Sequence, residues 1–159
     1  IFNLVNKSYF WNTLDLSAPI VHKYLHVMQK SYHLGLISPW FWNNIRNELI
    51  KMPKVYFFDN WLRNALIGNW EQRDQRIDCW ALLENTFFGQ IIHQVNLDEI
   101  MFWRSKQQHE IDFVISWSQA YEIKQNKLKI NHVIIDHFHK YYPTIPVTCY
   151  NLHDILLHS

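Results

Sequence analysis

The sequence predicts a mixed fold of helices and strands, α+β or α/β in class, on three observations. Residues 80–95 carry apolar side chains at helical spacing, with Leu82, Leu83, Thr86, Phe87, Gln90 and Ile91 on one broad side. Three runs of strand composition follow at 100–104, 110–117 and 120–124, the last two joined by a link short enough for a hairpin. Residues 132–142 return to helical spacing through Val133, Ile134, His137, Phe138 and Tyr141; Pro143 ends the run, and 147–150 is again strand-like. The expected order is helix, three strands, helix, strand.

The elements before this core follow the same logic. Residues 17–34 read as a helix: Ser17 can cap it, Pro19 fits the first turn, and Val21, Tyr24, Leu25, Met28 and Tyr32 form one apolar face. Gly35 is the expected C-terminal stop. A short helix at 9–14 upstream and a strand pair at 36–42 and 49–58 downstream complete the order of a winged helix-turn-helix. Residues 1–50 are therefore expected to be a partial winged-helix segment and 51–159 the main domain. Pro53 marks a break, 54–58 is a short apolar strand, and Asp59-Asn60 turns the chain into one or two helical turns at 62–66. Residues 69–78 are polar and read as a loop.

Composition narrows the function classes. The chain has 159 residues, 48% of them hydrophobic, enough for one good core. It holds three glycines and neither a GxxxxGK[ST] nor a GxGxxG motif, which argues against a glycine-rich phosphate loop. A formal net charge of +1 is not that of a dedicated nucleic-acid binder, although Arg104, Lys106, Lys127 and Lys129 can form a local basic patch. Cys79 and Cys149 lack zinc spacing and read as plain thiols of a reducing compartment. No apolar run is long enough to span a bilayer, and the first residues do not read as a signal peptide. The expectation is a cytoplasmic protein, and the start at Ile1 reads as a fragment or processed product.

The chemistry-bearing residues lie in HEIDFVI and YEIK. On a strand, Glu122 and Lys124 point to the same face, and a neighbouring strand can bring Asp112 beside them. Two carboxylates suit a hard cation such as Mg²⁺, and an ammonium suits the attacking water or the scissile phosphate of a phosphodiester. Glu84, flanked by Leu82, Leu83, Phe87 and Phe88, is expected to be partly buried and in need of a partner. Crowding of these carboxylates is expected to raise the pKa of at least one of them. His22 and His26 have the i, i+4 spacing of a metal pair but no evident third ligand, and His137 and His139 face apart. The eight tryptophans read as core and interface material.

Four segments, KMPKVYFFDNWLRNALIG, ALLENTFFGQI, FWRSKQQHEIDFVI and AYEIK, occur in the order seen in a large family of prokaryotic AAA-type ATPases, and the chain resembles the C-terminal region of that family. The resemblance implies a winged-helix remnant followed by a nuclease-like domain of the PD-(D/E)xK, restriction-endonuclease-like superfamily. It further implies that Asp112, Glu122, Glu84 and the backbone carbonyl of Ile123 hold Mg²⁺ or Mn²⁺, with Lys124 acting on the water that cleaves DNA or RNA. The implied partners are nucleic acid, the ATPase domain of the same protein and a protein partner. Trp61 and Trp80 stand where the family commonly has glycine, which affects local turns and not the acidic residues. Two other functions are compatible with the sequence: a noncatalytic module coupled to the ATPase, and a winged-helix DNA binder using Lys23 and Lys30.

Overall fold

The computed structural model describes residues 16–40, 53–72, 75–124, 131–151 and 154–155. The expected helix at 9–14, the part of the expected strand at 49–52, and Trp42, Lys127 and Lys129 lie outside the described residues. The described chain is a mixed α and β fold with a six-stranded mixed sheet and four helices.

Helix α1 (Ala18–Lys30) begins at Ser17, as the sequence suggests. The Ser17 side chain makes no cap bond; its backbone carbonyl accepts from Ile20 and Val21 instead. The expected stop at Gly35 is not where the helix ends. It ends after Lys30, where Tyr32 takes a left-handed φ of 56°. Gly35 lies instead inside strand β1 (Leu34–Pro39), beneath Phe88. Strand β2 (Lys54–Phe57) pairs antiparallel with β1. Asp59 then caps helix α2 (Asn60–Ile67) by accepting from the Trp61 and Leu62 amides, and Gly68 ends it with a φ of 71°.

Helix α3 (Cys79–Ile91) is apolar nearly all round, the mark of a buried helix. A 3-10 turn (Leu97–Glu99) leads to β3 (Ile100–Arg104), β4 (Glu110–Ile115) and β5 (Gln119–Lys124), followed by α4 (His132–Tyr141) and β6 (Val147–Asn151). Helix, three strands, helix, strand is thus the order observed.

The sheet order is β2-β1-β3-β4-β5-β6. Strand β1 pairs parallel with β3, so the expected boundary between residues 50 and 51 falls between two paired strands of one sheet. Two apolar clusters cover the sheet. One gathers Leu83, Phe87, Phe88 and Ile91 of α3 on Tyr56, Phe102 and Phe113; the other sets Phe138 of α4 on Trp103, Ile111 and Val114. Burial of these side chains on both faces is the main driving force for the fold. Among the described residues no helix is long and apolar enough to cross a membrane.

Strand β4 departs from regular alternation in one place. Met101 faces Val114 and Trp103 faces Ile111, so two steps along β3 match three along β4. The extra residue is a β-bulge, and it changes which face the following side chain takes. Ile111 packs in the α4 cluster, whereas Phe113 packs in the α3 cluster and the neighbouring Asp112 also reaches the α3 side, where it meets Lys54.

Candidate functional site

The site forms where α3, β2, β4 and β5 converge. Helix α3 carries Glu84 and Asn85, both buried in an otherwise apolar helix, so each needs a polar partner. Asn85 takes both backbone groups of Phe57: its Oδ1 accepts the Phe57 amide at 2.7 Å and its Nδ2 donates to the Phe57 carbonyl at 2.9 Å. That pairing docks α3 on strand β2. Glu84 then accepts from the Tyr56 hydroxyl at 2.9 Å and lies 3.6 Å from the Lys54 ammonium.

Lys54 is the centre of the arrangement. It is only 3% exposed, and its Nζ lies 2.5 Å from Glu110, 3.4 Å from Asp112 and 5.4 Å from the centroid of the Phe102 ring. Burial works against its charge, but the electrostatic influence of Tyr56, Glu84, Asp112 and Glu110 outweighs burial and holds its pKa well above that of an ordinary lysine. Arg104 binds the other oxygen of Glu110 at 2.6 Å.

Asp112 replaces a rung of the sheet. The β4/β5 ladder runs from Ile115 and Gln119 to Phe113 and Tyr121. Beyond it, the Ile123 amide donates to Asp112 Oδ2 at 2.9 Å. Burial pushes the Asp112 carboxyl up, the charges of Glu122 and Glu84 push it further, and Lys54 opposes them; it lies well above the ordinary carboxylate range. Glu122 is raised first by burial, with Lys124 and Lys54 pulling the other way. Crowding therefore does raise these acids, but burial is the larger cause.

Lys124 forms an ion pair with Glu122 Oε1 and lies 5.3 Å from the centroid of the Trp80 ring. Burial lowers its pKa, Glu122 raises it, and the net direction is up. Its ammonium is therefore suited to orienting a water and stabilising negative charge, and less suited to removing a proton. Glu122 Oε2 is buried and has no hydrogen-bond partner among the described residues.

The structure brings Asp112, Glu122, Lys124 and Glu84 within electrostatic reach of one another, with Lys54, Tyr56, Glu110 and Asn85 beside them. Lys54 and Tyr56 are two residues apart on β2 and so share a face, a period-2 signal that was legible but ambiguous. Glu110 carries the same signal, two residues before Asp112 on β4. Among the described residues no three His, Cys, Asp or Glu side chains are arranged around a single ion position. The oxygen-rich donor set nonetheless has the chemistry of a hard-cation site. The orphaned Glu122 oxygen also fits one, as does the excess of carboxylates (Glu84, Glu110, Asp112, Glu122) over cations (Lys54, Arg104, Lys124).

The remaining histidines and tryptophans are dispersed. His22 and His26 are exposed on α1. His137 meets His109, Nδ1 to Nδ1 at 2.6 Å, whereas the His139 ring lies 3.1 Å from the Ile145 carbonyl. Trp40 and Trp103 are buried, and Trp61 and Trp70 pair at the surface.

A family model described as a domain of unknown function (DUF8612) matches residues 2–73. That stretch includes Lys54 and Tyr56 and stops before Glu84, Asp112, Glu122 and Lys124. No curated protein and no solved structure matches the chain.

Proposed function

We propose that the chain carries a restriction-endonuclease-like core and that its acidic cluster supports divalent-cation-dependent hydrolysis of phosphodiester bonds in DNA or RNA. The observation that carries this reading is the convergence of Glu84 from α3, Asp112 from the bulged β4 and the Glu122/Lys124 pair from β5 at the point where the β4/β5 ladder ends. The link to a prokaryotic AAA-type ATPase rests on the four segments quoted above.

In this reading Asp112, Glu122, Glu84 and the Ile123 carbonyl hold Mg²⁺ or Mn²⁺. The bound ion supplies Lewis-acid charge to the phosphate and lowers the pKa of the attacking water. Lys124, held by Glu122 and Trp80, orients that water and offsets the charge that develops on the phosphate oxygens. Asp112→Asn and Lys124→Ala are each expected to lower Mn²⁺-dependent cleavage of single- and double-stranded substrates by about 100-fold or more while leaving the fold intact. Cleavage that survives both substitutions would rule the mechanism out.

One observation favours a second reading. Lys54 already neutralises much of the cluster, as suits a noncatalytic module that keeps the fold and recognises a partner protein or nucleic acid. Calorimetry with Mn²⁺ separates the two. Binding that disappears in Asp112→Asn supports the first reading, and absence of binding by the native protein supports the second.

A further inference from the structure

We propose that Lys54 is a resident counter-ion of the acidic cluster: its ammonium holds the cation position among Glu84, Glu110 and Asp112, and a divalent ion enters only in competition with it. The inference rests on the reading of the cluster as a divalent-cation site and adds what regulates entry to that site.

Three observations support it. The first is position. One Nζ lies within 3.6 Å of three carboxylates that come from α3 and from two residues of β4. The second is confinement. The side chain is 3% exposed and its ammonium lies over the Phe102 ring, so it cannot swing into solvent when another cation arrives. The third is the asymmetry of its partners. Glu110 keeps Arg104 if Lys54 is lost, while Glu84 keeps the Tyr56 hydroxyl and Asp112 keeps the Ile123 amide. Each acid has a second partner and none depends on Lys54 alone, so the lysine can be removed without leaving a wholly unsatisfied carboxylate. A divalent ion ligated by Asp112 would share that carboxylate with the Lys54 ammonium, and two like charges at such range repel.

The test is Lys54→Met, which keeps length and apolar stem and removes the charge. A double variant, Lys54→Met with Glu110→Gln, removes one charge of each sign and guards against a single variant that does not fold. Mn²⁺ affinity by calorimetry and the Mn²⁺-induced rise in Tm are read on each, with Asp112→Asn as control. The expected result is that Mn²⁺ binds the folded Lys54 variants about tenfold tighter or more than the native protein. If the native protein binds Mn²⁺ through Asp112 and the Lys54 variants bind it no tighter, the counter-ion role is overturned and the proposed function stands. If only the Lys54 variants bind, the counter-ion role is upheld and the noncatalytic reading is favoured. If no folded variant binds, the counter-ion role and the metal reading fail together.

Discussion

Asp78 and Asp112 put the same side chain in opposite electrostatic settings. Asp78 accepts from Arg76 at 2.8 and 2.9 Å and lies 2.9 Å from an Arg63 nitrogen. The hydrogen bonds from Arg76, opposed by burial and joined by the Arg63 guanidinium, hold its carboxyl at about 2. A pKa depressed on folding stabilises the native state above the unfolded value of about 4, and that stability is lost as the pH falls through the folded value. Asp78→Asn is expected to cost about 2 kcal/mol at neutral pH, by leaving two arginines short of a counter-charge. The difference from the native protein should shrink as the pH falls towards about 2, where the native carboxyl is protonated too. Denaturant unfolding at the two pH values checks this; an equal loss at both would place the effect in packing and not in charge.

At the scale of elements, the docking of α3 on the β1/β2 edge decides where Glu84 lies. Gly35 permits that docking. A Cβ there would come 2.6 Å from Phe88 Cζ and 3.1 Å from Leu97 Cδ1. Phe88 is fully buried and stacked on Tyr56 at 5.0 Å, so it has little room to retreat. Gly35→Ala is expected to destabilise the protein by about 1–3 kcal/mol through overpacking. Because Phe88 stacks on the ring whose hydroxyl binds Glu84, the same substitution should weaken Mn²⁺ binding. Thermal unfolding and calorimetry on this variant check both effects, and an unchanged Tm would mean that α3 shifts freely on the sheet.

At the scale of the whole molecule, the acidic cluster makes stability depend on pH. Asp112 and Glu122 have folded pKa values raised above their unfolded ones. The native state therefore keeps protons that the unfolded chain has already released. Stability falls as the pH rises from the ordinary carboxylate range through the raised values. Asp112→Asn mimics the protonated acid and can still accept the Ile123 amide. It is expected to match or exceed the native Tm at about pH 8 and to lose that advantage at about pH 4. Melting curves at both values test the sign, and a variant less stable at the higher pH would mean that the Asp112 charge supports the fold.

The sequence by itself determined the order of elements and most of their bounds, because apolar periodicity, Pro53 and Pro143, and the Asp59-Asn60 turn are local signals. It also placed Asp112, Glu122 and Lys124 together, since strand alternation and a short hairpin bring them near one another, whereas the grouping of Glu84 with them rested on the resemblance to the ATPase family. Only the tertiary structure decided three things. Gly35 serves packing against Phe88 and not helix termination, because its close neighbour comes from a helix more than fifty residues away. Strand β1 joins β3, so the sheet runs across the expected boundary at residue 50. Lys54 fills the centre of the acidic cluster, a place set by the β4 bulge and by the Asn85 contact with β2. Each depends on contacts between residues far apart in the chain, and local periodicity and capping carry no information about such contacts.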